Sequence, residues 1–302
     1  MAEDYSKYLD PKILNKVGNL EVKARLIVEG FMSGLHESPY KGSSVEFAEH
    51  REYVPGDDIR YLDWKVYAKS DRYYIKEFEE ETNLKAYVVV DTSNSMTYTG
   101  GEANKTSKLD YAKYVAASIL YLVQKQRDAG ALVTFGDGVR SFLPPSSSGA
   151  HFRNCMKELT EAPAEGETDL GAIFNEIAER LRSRSLVIIL SDLFDDNEEG
   201  MLRGLHRMAH RGHDVVVFHV LDKDELEFPF ERMTRFEGLE IDERILADPR
   251  ALREAYMNEL SEFQTRMKSA CLSGRMDYQV LDTSRPLDLA LSTYLAQRAG
   301  TR

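Results

Sequence analysis

From residue 84 onward the chain alternates between two hydrophobic patterns. Short, mostly apolar runs of strand length occur at Ala86–Val90, Ala131–Phe135, Leu186–Leu190, Val215–Leu221 and Tyr278–Leu281. Continuous apolar runs of this kind suit strands buried on both faces of a parallel sheet. Between them lie longer stretches with apolar residues three and four positions apart, the helical spacing. In Leu109–Gln124, for example, Tyr111, Val115, Ile119, Leu122 and Val123 form one face. Further helices are expected near 150–161, 169–182, 197–211, 249–270 and 286–299. Gly136-Asp137-Gly138 is a turn signal that sends the chain into an antiparallel edge strand, Val139–Leu143. Strands alternating with helices predict an α/β fold, a mostly parallel sheet with helices on both faces. Residues 222–247 break the rhythm; a loop and a small hairpin both fit them.

The first 83 residues read differently. Residues 9–35 are helical in pattern, with Leu20, Ala24, Ile27, Phe31 and Leu35 in register. Gly18-Asn19 splits this region and Ser38-Pro39 stops it. Residues 40–83 are rich in aromatic and β-branched residues around the turn Pro55-Gly56-Asp57-Asp58, which predicts an irregular β module. The expected organisation is therefore residues 1–83, a helical segment with a β module, and residues 84–302, the α/β domain.

Composition narrows the function classes. The 302 residues are 42% hydrophobic and 30% charged, as in a globular protein, and carry a formal net charge of -12. That balance argues against nucleic acid and anionic lipid as partners, since both are bound through cationic side chains. A protein partner or a cation fits better. The start, MAEDYSKYLDPK, lacks the basic and apolar segments of a secretory signal. No apolar stretch approaches the ~18 residues that span a bilayer, so a cytoplasmic location without direct membrane insertion is expected. Cys155 and Cys271 are far apart and form no Cys-x-x-Cys pair; Cys155, between Phe152 and Leu159 on one helix face, reads as a small buried hydrophobe, and a disulfide, still open, is not needed to staple a chain this long.

Three oxygen-bearing segments stand where open parallel sheets build their sites, beyond the strands' carboxyl ends. Asp91-Thr92-Ser93-Asn94-Ser95 follows the first strand, Ser191-Asp192 follows Leu186–Leu190, and Thr168-Asp169 precedes a helix. Taken singly, each reads equally well as a cap or turn, and Thr168 best as a helix N-cap. Taken together they supply a shell for a hard cation such as Mg²⁺ or Mn²⁺, which prefer about six oxygen ligands. Ser93, Ser95 and Thr168 offer hydroxyls; Asp91 and Asp192 offer carboxylates, directly or through water. A shell dominated by neutral hydroxyls leaves the ion electron-poor and able to attract an acidic ligand.

Asp91-x-Ser93-x-Ser95, Thr168 and Asp192 resemble the metal-ion-dependent adhesion site of von Willebrand factor A domains, over roughly residues 84–302. The resemblance implies a Rossmann-like sheet with one antiparallel edge strand, and an ion that engages a carboxylate of a partner protein. Leu193 is a departure, since many members have glycine there. Upstream, Glu46-Phe47, Arg51-Glu52-Tyr53, Gly56-Asp57-Asp58, Arg60, Asp63-Trp64 and Lys76-Glu77 resemble the signature of a bacterial family catalogued as a domain of unknown function, number fifty-eight. That resemblance implies association with MoxR-type AAA+ ATPases in chaperone-like maturation or assembly of other proteins. Physically, the stretch is a salt-bridged β module, and its Arg51, Asp57, Asp58, Arg60 and Trp64 are candidates for a docking face.

Other signals are discounted. His206 and His210 have i, i+4 spacing, but Arg203, Arg207 and Arg211 repel a cation and no glutamate base lies between them. Glu79-Glu80-Glu81 reads as a solvated charge run. No phosphate-binding Gly-x-x-x-x-Gly-Lys loop occurs. The leading expectation is a non-enzymatic, divalent-metal-dependent binding protein whose partners are a MoxR-type AAA+ ATPase and a client with an acidic side chain. Two alternatives stay open. One is a structural scaffold with an empty site. The other is a metal-dependent phosphohydrolase, although its usual second carboxylate is replaced by Ser93 and no lysine clamp is evident.

Overall fold

The computed structural model describes residues 19–37, 50–52, 74–76, 84–100, 106–164, 166, 168–239 and 244–300. The chain divides into a large unit, residues 1–34 with 84–302, and a small one, residues 35–83. In the small unit two short strands, β1 (His50–Glu52) and β2 (Tyr74–Lys76), pair antiparallel, Arg51 opposite Ile75. Asp57, Asp58, Arg60, Trp64 and the side chain of Arg51 lie outside the described residues.

The large unit begins with α1 (Leu20–Glu37), whose Asn19 side chain caps the N–H groups of Glu21 and Val22. Ala24, Ile27 and Val28 of this helix are fully buried. The sequence reading grouped this helix with the β module. Its contacts, including a 2.7 Å bond from Lys23 Nζ to Tyr114 Oη, place it with the sheet instead.

From there the order is β3 (Lys85–Asp91), α2 (Lys108–Lys125), β4 (Ala129–Phe135), β5 (Val139–Ser146), α3 (Gly149–Glu161), α4 (Leu170–Arg180), β6 (Leu186–Ser191), α5 (Glu198–His210) and β7 (Asp214–Leu221). Residues 222–247 hold both a short helix, α6 (Lys223–Glu227), and a hairpin of β8 (Thr234–Glu237) and β9 (Arg244–Ala247). Then come α7 (Pro249–Ser273), β10 (Asp277–Asp282) and α8 (Asp288–Gly300).

The sheet order is β10-β7-β6-β3-β4-β5, parallel throughout except for β5, which pairs antiparallel with β4 at the edge. This is the mostly parallel sheet with one antiparallel edge strand that the sequence pattern implied, in the Rossmann-like form that the family resemblance implied. All six residues of β6 are buried, as a central strand covered on both faces requires. On one face Tyr87, Val89, Val133, Phe135, Val187, Ile189 and Val217 pack with Phe174 of α4, Leu205 of α5 and Met267 of α7. The alternate residues Ala86, Val88, Val90, Ile188 and Leu190, also fully buried, face α2. Helices α4 and α5 approach so closely that a Cβ on Gly204 would stand 2.6 Å from Cβ of Phe174.

Two features of this layout bear on the site. The chain leaves β3 toward β4 on one side, and later places β6 on β3's other side. The carboxyl ends of β3 and β6 therefore flank a topological switch point, where the two crossovers diverge and leave a crevice. Cys155, as expected, is a buried free thiol, and so is Cys271. Among the described residues no helix is long and apolar enough to cross a membrane.

Candidate metal centre

The loop after β3 is held by its own polar groups. Asp91, 1% exposed, accepts the Ser93 N–H on Oδ1 at 2.9 Å and the Ser191 hydroxyl on Oδ2 at 2.5 Å. The second bond ties β3 to β6 across the switch point. Thr92 is turned away, donating its hydroxyl to the Phe135 carbonyl at 2.6 Å. Ser93 and Ser95 face the same side, their Oγ atoms 3.0 Å apart. The loop is not extended there: Asn94 is helical in conformation and opens a 3-10 turn, Ser95–Thr97, and that bend brings both hydroxyls together.

The Thr168 segment lies against this loop, because the Asn94 N–H donates to the Gly166 carbonyl at 3.3 Å. Gly166 has φ +82°, a left-handed conformation that glycine adopts freely. Thr168 is not the helix cap. Asp169 caps α4 by accepting the Ala172 N–H at 2.8 Å, and Asp195 takes the Leu170 N–H at 2.6 Å. Among the described residues Thr168 Oγ1, like His213 Nδ1, is buried without a hydrogen-bond partner. A buried hydroxyl without a partner costs free energy that a bound water or ion would relieve.

Asp192, 5% exposed, follows β6. Its Oδ1 accepts the Phe194 N–H at 3.3 Å, and its Oδ2 accepts from Lys108 Nζ at 2.7 Å. Leu193 has φ +54°, strained for a residue with a side chain. Such a conformation costs roughly 1–3 kcal/mol. The Leu193 side chain is 2% exposed and belongs to the core under the sheet. Burying it contributes roughly 1.5–3 kcal/mol, which offsets the strain and explains how leucine stands where glycine is common. Beneath, the buried His219 ring bonds the Asp192 backbone and lies 2.6 Å from Tyr278 Oη; burial lowers its pKa to about 4, so it stays neutral.

Lys108 is the residue that sequence reading missed. It opens α2, where the helix dipole disfavours a cation. Yet its side chain is only 3% exposed, and Nζ also donates to Glu225 Oε1 at 2.7 Å. Burial alone would lower its pKa, but the two carboxylates more than offset this and hold the ammonium charged. A basic residue in a helix's first turn was the only local signal for it. Glu225 had none.

Electrostatics separate the two aspartates. Burial and the neighbouring Asp192 carboxylate push Asp91 up to about 7, despite the hydrogen bonds from Ser191 and Ser93. Burial would also raise Asp192, but Lys108 holds it below its ordinary value. Because the folded Asp91 carboxyl holds its proton more tightly than the unfolded one, its contribution to stability is greatest in acid. It declines as pH rises from the usual carboxylate range to about 7. A divalent ion bound there must displace that proton. If the loop holds Mg²⁺, the affinity is expected to fall by about tenfold per pH unit below 7, with about one proton released per ion at pH 6. Calorimetry at pH 6 in two buffers of different ionisation enthalpy measures this; identical heats in both would refute it.

Among the described residues no group of three or more His, Cys, Asp and Glu is arranged to hold a metal ion. Any ion at this place would depend on hydroxyls, which is what Ser93, Ser95 and the unpartnered Thr168 offer. His206 and His210 lie elsewhere, with Arg203, Arg207 and Arg211 around a shallow surface depression. Arg203 and Arg207 there pair with Glu199 and Glu179.

The model of a family described as "Protein of unknown function DUF58" matches residues 49–266, which include the strand-end loop, Thr168 and Asp192. The chain belongs to the DUF58 family. This DUF58 protein is 29% identical over 225 residues to an uncharacterised protein of Mycobacterium tuberculosis, covering 73% of this chain and 68% of that one. It is 24% identical over 179 residues to the uncharacterised protein YeaD of Bacillus subtilis, covering 59% and 40%. Among solved structures it is similar to the conserved hypothetical protein BatB of Bacteroides thetaiotaomicron, with 16% identity, TM-score 0.47, and 72% and 99% of the two chains covered.

Proposed function

We propose that this DUF58 protein is a non-enzymatic, divalent-metal-dependent protein-binding module. The observation that carries the reading is the buried, unpartnered Thr168 Oγ1 beside a loop that turns the Ser93 and Ser95 hydroxyls to one side. Ser93, Ser95 and Thr168 would hold Mg²⁺ or Mn²⁺, with Asp91 and Asp192 neutralising its charge. When bound, the ion supplies an electrophilic position for a carboxylate oxygen of a client protein. The chain's own part is positional. Ser191 and the Ser93 N–H fix Asp91, His219 and the Phe194 N–H fix the Asp192 turn, and Asp169 with Asp195 anchors the helix start next to Thr168.

The proposed second partner is a MoxR-type AAA+ ATPase, with the module acting as its adaptor in maturation or assembly of other proteins. This rests on the upstream signature, whose Arg51, Asp57, Asp58, Arg60 and Trp64 are the proposed docking residues. A pull-down from native extract tests it, with Mg²⁺ in one arm and chelator in the other. Retention of such an ATPase in either arm, and of client proteins only with Mg²⁺, is the expected result. Client capture that ignores chelator would refute the metal's role, and absence of the ATPase from both arms would refute the adaptor role.

Lys108 gives the phosphohydrolase reading one specific point in its favour, since it places a buried ammonium beside Asp192. Both contacts of that ammonium are already taken by carboxylates, and Ser93 still stands where a second acid would be needed. Hydrolysis of p-nitrophenyl phosphate, abolished by Asp91→Asn, would establish that reading instead.

A further inference from the structure

Lys108 bridges two elements that are distant in sequence. Its Nζ lies 2.7 Å from Asp192 Oδ2 beyond β6 and 2.7 Å from Glu225 Oε1 in α6. Neither carboxylate is free to turn. The other oxygen of Glu225 accepts the Asp222 N–H at 2.7 Å, closing the capping box of α6. The other oxygen of Asp192 accepts the Phe194 N–H. The Tyr98 ring covers the ammonium at 5.9 Å from its centroid. Burying an ammonium is costly unless it is paired, and here two carboxylates share it. The lysine thus spends one oxygen of the charged residue that the metal-binding reading assigns to the ion.

Resting on that reading, we propose that Lys108 is a resident counter-cation of the site. It competes with the divalent ion for Asp192, and so sets how tightly the ion is held. The consequence is a trade. A fixed positive charge next to the ion weakens its binding, because affinity for such ions follows the number of charged ligands available. The same charge leaves the ion under-neutralised, which favours a carboxylate arriving from a partner. The hydroxyls of Ser93, Ser95 and Thr168 would then form the shell that does not depend on the lysine.

The test is calorimetric titration of MgCl₂ into the full chain at pH 8, comparing wild type with Lys108→Met. Circular dichroism reports folding. The expected result is Mg²⁺ affinity about tenfold or more tighter in Lys108→Met, with a larger Mg²⁺-induced rise in Tm than in wild type. A folded variant with affinity equal to wild type or weaker overturns the proposal while leaving metal binding itself intact. Wild type that ignores Mg²⁺ while Lys108→Met binds it keeps the lysine's role and overturns the metal-dependent reading. If neither binds, both fall. Should Lys108→Met need metal to fold, Lys108→Met with Glu225→Gln removes one of the two orphaned carboxylates, and the same tightening is expected. Failure of both variants to fold even at saturating Mg²⁺ also overturns the proposal, since the ion then cannot stand in for the ammonium.

Discussion

Replacing Asp91 by Asn and Ser93 by Ala together is expected to lower Mg²⁺ affinity by about 100-fold or more, with the fold retained. Asp91 is the buried carboxylate of the loop, and Ser93 supplies one of its two paired hydroxyls. The stability effect should have the opposite sign. Burial and Asp192 make ionised Asp91 unfavourable, with its pKa pushed up to about 7. Above that pH, a neutral asparagine removes the penalty while its amide oxygen can still accept the Ser93 N–H. The metal-free variant should therefore be at least as stable as wild type at pH 8. Calorimetric titration and urea denaturation measure the two quantities. Undiminished Mg²⁺ binding would sink the metal assignment. A large loss of stability without metal would mean that the loop's charge has a structural task instead.

Phe174→Ala is the second change with a large expected effect. Phe174 is fully buried between α4 and the sheet and meets Phe135 edge-on, ring centroids 6.0 Å apart at 83°. Truncating a buried phenylalanine costs about 3–5 kcal/mol, partly because rigid surroundings leave a cavity. Cβ of Phe174 also packs against Gly204 of α5, so the neighbouring helix cannot readily collapse into the space. For a unit of this size the Tm should fall by roughly 6–20 °C, measured by scanning calorimetry. The damage should reach the site, because α4 begins just after Thr168 and carries Phe174 one turn further on. A weaker Mg²⁺ affinity in the folded variant would follow from a less rigidly placed Thr168. A loss under ~1 kcal/mol would contradict the packing described here.

The separation between these two effects follows from the way α/β sheets are built. Side chains within the strands make the core, and side chains just past the strand ends make the site. Asp91 and Asp192 stand at that border. Their backbones end β3 and the β6 turn, while their carboxylates face the crevice. Leu193 shows the border most sharply, its backbone strained by the turn and its side chain buried in the core. Changes deep in the sheet act on stability first and on the site through position. Changes at the loop act on the proposed ion site first.

Much of this was legible from residue order alone, because hydrophobic periodicity is a local property. The apolar runs at 86–90, 131–135, 186–190 and 215–221 became β3, β4, β6 and β7, and Gly136-Asp137-Gly138 did turn the chain into the antiparallel edge strand β5. That Ser93 and Ser95 lie close was readable from their spacing, but their common side comes from the bend at Asn94 into a 3-10 turn, which the spacing did not specify. What residue order could not decide was which polar groups would be used up by other partners. Thr168 looked like a helix cap until Asp169 took that task, leaving a buried hydroxyl with no bond of its own. Lys108 drew no reading from residue order; only the fold sets it against Asp192, 84 positions away, and Glu225, 117 positions away. Periodicity fixes which face of an element is buried. Only the crossovers decide which charges share that buried space, and at this strand-end loop they brought an ammonium to the carboxylate that a metal ion would also claim.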